Sequence, residues 1–413
     1  MIIGKIWDYE YPWDVRVEKI TETLLDAGHD VHLICRNRRA QPERDRLGRL
    51  EVHRMPSWRR AGKWIDNISS FPAFVNPRWV RHVIDSARRA QVDLLLCRDL
   101  PLAPLALHVG RRLGLPVVVD IAENYPAMLR QLYNRNDFRL HNLLVRNPLF
   151  AAWVEKYIIR RANAILVVVE ESRDRLIELG VPAERIEIVS NTPGADRIQD
   201  LRQLSGTYSE ESAPLRLVYL GLLERDRGLD TVLHAICLLH SRGVDVHFDV
   251  IGEDKASRLQ ELSAGLAIGD WVRFHGYVPY AEALKIVATA DVGVVPHHVT
   301  EHWSTTIPNK LFDYMAAGIP VLVSSAPPAQ RIVEETGCGL PFRDRDARHL
   351  ADQIQRLLPA WIRREMGRAG VQAVSERYNW THDGARLVHR IESVAEQWYG
   401  TAEGRGLSRV AAA

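Results

Sequence analysis

Apolar runs of strand length alternate along this chain with stretches whose apolar positions recur every three or four residues. That alternation predicts βαβ units and parallel sheets. In the first unit, residues 2–7 form a strand and residues 8–14 a loop; Val17, Ile20, Leu24 and Leu25 then make one face of a helix that Gly28 stops. Residues 31–35 give the next strand, and others are expected at 92–97, 117–120, 165–169 and 186–190. A second series is expected at 215–220, 246–251, 272–275, 292–295 and 321–324, again with helical patterns between. The fold class is α/β, with two doubly wound parallel sheets.

The chain has 413 residues, enough for two cores of roughly 200 residues each. Residues 1–195 form the N-terminal domain and 214–380 the C-terminal one. The polar stretch 196–213 is the linker, although part of it could be helical; 381–400 is a last helix and 401–413 a flexible tail of small residues. The longest apolar runs, such as 165–169 and 292–296, are far short of the roughly 20 residues that span a bilayer. No secretory signal is visible, and Cys35, Cys97, Cys237 and Cys338 are scattered as buried thiols would be, which favours the cytoplasm. Net charge is only +2, yet residues 36–161 carry 24 Lys+Arg against 11 Asp+Glu.

In doubly wound sheets ligands sit at the carboxyl ends of strands, so the loops there are the first place to look for chemistry. After Leu220 come Gly221, Arg225 and Arg227 at a strand-to-helix turn. A guanidinium there could pair with phosphate oxygens, or the loop could be an ordinary solvated one. Gly252 follows the next strand and would let backbone approach a ligand. Residues 305–321 read as a short helix between Thr305, Thr306 and Pro308 at its start and Gly318 at its stop. Lys310 in its first turn would add charge to an anion site, and Asp313, three residues on and pointing the same way, would accept ribose hydroxyl protons. A solvated Lys and Asp pair is the plain alternative. His297, His298 and His302 lack the Cys, Asp and Glu of a metal site and suit cleft lining or packing.

These residues together resemble the retaining nucleotide-sugar glycosyltransferases of family 4. In the first half the likeness rests on residues 24–31, 92–95, 162–169 and 186–191, and in the second on 219–228, 272–278, 290–292 and 312–318. The resemblance implies the GT-B fold: two facing Rossmann-like doubly wound parallel-sheet domains with an interdomain cleft, acceptor on the first, donor on the second, and the final helix crossing back. Pro308 to Ala316 is similar to a Pro-x-Lys-x-x-Glu-Tyr-Met-Ala subgroup, with Asp313 in place of its Glu. The family's wider Glu-x7-Glu motif would begin at Thr305, its usual Arg is Leu222 here, with Arg225 a substitute, and Ala122 stands where a His often precedes Glu123. Its glycine-rich acceptor loop is replaced by residues 11–16.

The resemblance further implies that Arg227, Lys310 and Asp313 act on the donor, and that Glu123 and Asp14 face the acceptor. Gly221, Arg225, Gly252, Tyr277, Val278, Thr306, Ile307 and Asn309 would bind the nucleotide, the base lying by the backbone of Tyr277 and Val278. The donor would be a nucleotide-diphosphate sugar, foremost a UDP-sugar, with no obligatory metal or other cofactor; the acceptor would be a glycan or a lipid-linked hydroxyl in envelope polysaccharide or glycoconjugate synthesis. Nucleic acid is not an expected partner. The basic excess of residues 36–161 is interleaved with Trp58, Trp64, Phe71, Phe74, Trp79, Phe138, Leu143, Leu144, Phe150, Trp153 and Tyr157. This suits peripheral contact with an anionic membrane at its cytoplasmic face, or two amphipathic helices covering the core. A sugar-nucleotide epimerase of the same fold and a non-catalytic nucleotide-sugar-binding subunit stay open beside the transferase.

Overall fold

The computed structural model describes residues 1–12, 14–57, 76–133, 142, 146–204 and 214–400. Contacts divide the chain into two compact units, Met1–Ser190 together with the residues from Asp383, and Asn191–His382.

The first unit holds strands β1 (Ile2–Trp7), β2 (Asp30–Cys35), β3 (Arg44–Leu47), β4 (Leu50–Arg54), β5 (Leu94–Arg98), β6 (Val117–Asp120), β7 (Ala164–Val167) and β8 (Ile186–Ile188). They form one sheet in the order β3-β4-β2-β1-β5-β6-β7-β8, parallel except for the hairpin β3–β4. That hairpin was not foreseen. Its outer strand, Arg44–Leu47, is charged because it closes the sheet edge against further pairing. The strand expected to run to Val169 stops at Val167, and the one expected to run to Ser190 stops at Ile188, where the Ser190 carbonyl accepts from Arg16 at 3.3 Å.

The second unit holds β9 (Leu215–Leu220), β10 (Val246–Ile251), β11 (Val272–Gly276), β12 (Val292–Val295), β13 (Val321–Ser324) and β14 (Gly339–Phe342). All are parallel, in the order β11-β10-β9-β12-β13-β14. β14 escapes a pattern search because Pro341 interrupts it, and proline is tolerated there because β14 is an edge. The stretch expected as linker contains the helix Ala195–Leu204, packed on the helices Tyr280–Ala288 and Asn309–Ala316 of the same unit. Residues 205–213 and 401–413 lie outside the described residues.

The last helix, Trp380–Gly400, is fixed within the first unit from Asp383 onward. Arg390 pairs with Glu187 at 3.0 Å, Trp398 Nε1 donates to the Gly114 carbonyl at 3.0 Å, and the Tyr399 hydroxyl donates to that of Asp93 at 2.8 Å. Trp79, one of the aromatics expected either to meet a membrane or to cover the core, is fully buried in the core on the inner face of the helix Pro77–Ala90, as the second of those readings has it. Trp58, Trp64, Phe71, Phe74, Phe138, Leu143 and Leu144 fall outside the described residues.

At the carboxyl ends of β5 and β6 the first unit buries an ionic network. Asp120 accepts from Arg16 Nη2 at 2.7 Å and from Arg98 Nη1 at 3.1 Å, and Lys5, 1% exposed, donates to the Val17 carbonyl at 3.2 Å. Burial pushes the Asp120 carboxyl up, but Arg16 beside it, with Arg98 and Lys5, holds it at about 2. Burial pushes the Lys5 ammonium down to about 7. Because Asp120 titrates lower in the fold than its ordinary 3.8, its stabilisation is complete above about pH 4 and is lost as pH falls towards 2. Arg16→Ala leaves this carboxylate with Arg98 alone of its two guanidinium partners and is expected to cost about 2–3 kcal/mol at pH 7, measured by urea unfolding. A loss below ~1 kcal/mol would mean that the network is not structural.

Candidate functional site

The carboxyl edge of the second unit's sheet is built on close backbone contacts that only glycine permits. Gly221 (φ 138°) and Gly252 (φ 155°) follow β9 and β10, and a Cβ on Gly252 would lie 2.0 Å from the Gly221 carbonyl oxygen. Gly228 (φ 68°) opens the helix Leu229–Ser241, where a Cβ would lie 1.9 Å from the Pro296 oxygen. The loop after β9 is thereby pressed onto the loop after β12. Asp226 fastens the two, its carbonyl accepting from His298 N at 2.9 Å and its carboxylate from Trp303 Nε1 at 2.9 Å.

Arg227 and Lys310 converge on this edge. The Arg227 guanidinium lies 4.6 Å over Trp303, donates to His297 Nε2 at 3.2 Å and meets Glu224 at 3.2 Å. Lys310 reaches back from the helix Asn309–Ala316, placing Nζ 3.7 Å over the Tyr219 ring and 2.8 Å from where a Gly221 Cβ would stand. Among the described residues this ammonium makes no ion pair. Burial, and then the Arg227 charge, hold it well below the usual lysine range. Burial first, then Lys310 and Arg227, also keep the buried His297 neutral. Its Nδ1 has no hydrogen-bond partner among the described residues.

The rest of that helix is locked in place. Tyr314 lies flat against Gly293, where a Cβ would come within 2.3 Å of the ring, and its hydroxyl accepts from Leu220 N at 3.0 Å. Asp313 is 3% exposed and takes Arg197 Nη2 at 2.6 Å, while the same guanidinium stacks 4.5 Å over Tyr280. Asp313 thus pairs with Arg197, while the Lys310 ammonium lies over Tyr219. Thr306 and Ile307 are buried just before it, Asn309 is exposed at its first position, and Arg225 is exposed without an ion pair among the described residues. Tyr277, just after β11, is 83% exposed and Val278 is half-buried. His298 is held by Asp344 at 2.8 Å and lies 3.5 Å from Asp230, and these carboxylates raise it above the ordinary histidine value against burial.

In the first unit, Asp14 caps the helix Val15–Asp26 by accepting from Val17 N at 2.9 Å and lies 3.5 Å from Arg98. Glu123 follows β6, half-buried, just before the helix Tyr125–Leu132.

Residues 14–192 match the family model described as glycosyl transferase 4-like domain, and residues 214–359 the one described as glycosyl transferases group 1. The chain belongs to the glycosyltransferases of this group. It is 22% identical to the α-D-kanosaminyltransferase of Streptomyces kanamyceticus over 68% of this chain and 71% of that one. Other relatives, matched over 48–61% of their own length, are named for colanic acid biosynthesis and as a phosphatidyl-myo-inositol mannosyltransferase. Among solved structures, sucrose-phosphate synthase of Thermosynechococcus elongatus superposes with a TM-score of 0.72 at 18% identity, covering 95% of this chain and 98% of that one. HepE of Anabaena, solved with UDP, gives 0.66 at 14% identity over 95% and 100%. Both likenesses establish the GT-B fold of two parallel-sheet α/β domains.

For this glycosyltransferase the sequence pattern located Gly221, Gly252, Arg227 and Lys310, which the fold brings to one edge. It missed Asp226, Trp303 and Arg197, and gave His297 no specific role. The His297-His298 pair was the available signal. The partnership of Arg197 with Asp313 spans 116 residues and left none.

Proposed function

We propose that the second unit binds a nucleotide-diphosphate sugar and that Lys310 and Arg227 neutralise the diphosphate as it leaves. The observation that carries this reading is the half-buried Lys310, whose ammonium is folded back over Tyr219 towards Gly221 and makes no ion pair among the described residues. Arg227 already has Glu224 at 3.2 Å and Asp226 at 3.7 Å, so Lys310 is the cation for which a diphosphate supplies the counterion, and charge stabilisation on a leaving group lowers the barrier most where water is excluded. Gly221 and Gly252 leave room for the phosphates, and backbone N–H groups of Thr306, Ile307 and Asn309 donate to them. Exposed Arg225 supplies a further cation. Asp313, steadied by Arg197, accepts from ribose, and backbone at Tyr277 and Val278 receives the base. UDP is the preferred nucleotide, supported by the UDP complex of HepE. Transfer retains configuration by front-face attack of an acceptor hydroxyl oriented by Glu123 and Asp14, with no obligatory metal. The match of Pro308–Ala316 to its motif subgroup supports the donor assignment. Family membership supports transfer over the epimerase and non-catalytic readings.

We further infer that the acceptor is a glycan or lipid-linked group met at the cytoplasmic face of a membrane. All four cysteines are free thiols, and no described helix is long and apolar enough to cross a membrane. Docking is supported by the helix Pro148–Ile159, which exposes Leu149 (78%) and Trp153 (63%). Trp153 stacks between Phe150 and Tyr157, and Arg161 lies 4.1 Å over Tyr157. Aromatic and basic side chains sharing one face suit a headgroup layer.

Two measurements check this. UDP at ~100-fold excess over its Kd should raise the melting temperature by on the order of 5 °C, and Lys310→Ala or Arg227→Ala should abolish the rise. No shift with UDP, GDP, ADP, dTDP or CMP would overturn the donor site. Vesicles containing phosphatidylglycerol should sediment the chain, with Trp153→Ala reducing the bound fraction severalfold. Equal recovery in the supernatant with and without vesicles would remove the membrane from the account.

A further inference from the structure

A second concave site stands at the edge of the first unit's sheet. β4 runs parallel to β2 and ends at His53 and Arg54, on the carboxyl side where doubly wound sheets hold ligands. The hairpin β3–β4 and the helix Pro77–Ala90 enclose a pocket there of about 380 Å³. Arg44, Arg54, Arg78, Arg81 and Arg89 line it against two carboxylates, Glu43 and Asp85. Asp85 lies 3.6 Å from Arg81, whereas Arg44 and Arg89 make no ion pair among the described residues.

Arg54 marks the pocket as incomplete. The side chain is 3% exposed; Nη1 donates to the Pro42 carbonyl at 3.2 Å and to Asp45 at 3.0 Å, yet its buried Nε has no partner among the described residues. A buried guanidinium N–H left unpaired destabilises the fold unless a ligand supplies the acceptor. The two histidines sense the same field. Burial first, and then positive neighbours including Arg44 and Arg89 for His53, and Arg78 and Arg89 for His82, hold both at about 4. Several guanidinium forks converging on one small cavity fit the many oxygens of a phosphate better than a single carboxylate.

We propose that this pocket binds a phosphate or diphosphate group borne by the acceptor, with Arg54 donating from its floor and Arg44, Arg78 and Arg89 closing around the anion. The assignment to the acceptor rests on the reading of the first unit as the acceptor side. It gives the basic excess of residues 36–161 a ligand, whether the phosphate belongs to a soluble glycosyl phosphate or to a lipid headgroup.

Inorganic pyrophosphate, titrated calorimetrically into the full chain, separates this site from the donor site. With Lys310→Ala and Arg227→Ala in place, pyrophosphate should still bind, and adding Arg44→Glu and Arg89→Glu should weaken it at least ~tenfold. Both arginines are exposed, so an unchanged melting temperature verifies the fold. Absence of binding in the Lys310→Ala, Arg227→Ala chain, or binding that the two glutamates leave unaltered, overturns the pocket. Failure of the donor reading shows separately, as pyrophosphate affinity in the Arg44→Glu, Arg89→Glu chain that ignores Lys310 and Arg227. Sedimentation with phosphatidylcholine vesicles, with or without phosphatidylglycerol, then identifies the source. Vesicle binding lost with the glutamates puts the phosphate on a lipid, and vesicle binding unchanged while pyrophosphate affinity falls puts it on a soluble acceptor.

Discussion

An unneutralised positive charge, held where the fold makes it expensive, is the constraint on which the second unit turns. Lys310 is only half-buried, yet its ammonium is turned over the Tyr219 ring and against Gly221, and burial first, then the Arg227 charge, hold it well below the usual lysine range. Removing an ammonium from water without a partner is costly, and a cost of this kind is retained where a ligand repays it. The packing of Tyr314 on Gly293 and the grip of Arg197 on Asp313 keep the helix from relaxing the strain.

The first unit handles buried charge in the opposite way. Its network at the ends of β5 and β6 is internally paired, Asp120 lying between Arg16 and Arg98. Arg98 extends the same pairing to Asp14, 3.5 Å away at the start of the helix Val15–Asp26. At the sheet edge, where β4 meets the helix Pro77–Ala90, guanidinium groups outnumber carboxylates again.

How far the fold was legible follows from these same features. Five of the six strands of the second unit were visible, because a parallel strand covered on both faces is a run of Val, Leu and Ile with punctuation at each end. β14 was hidden by Pro341, and the hairpin β3–β4 by the charges that protect its edge. At the site, Gly221, Gly252, Arg227 and Lys310 were legible because strand-to-helix loops are where such residues carry meaning. Arg197 was not, since its helix lies in a stretch polar enough to pass for linker and its partner is fixed only by tertiary packing. Trp79 could be read either way, because an aromatic beside arginines suits an interface or a core until the helix face it occupies is known.

The most direct test of the central claim is the titration of Lys310 itself, followed by NMR of a chain labelled at its lysine side chains, with Lys310→Arg to assign the signal. In the free chain the ammonium should lose its proton well below the ordinary lysine value, and saturating UDP should shift that titration upward, because the diphosphate supplies the missing counterion. An ordinary titration in the free chain, or one that UDP leaves unmoved, would contradict the account.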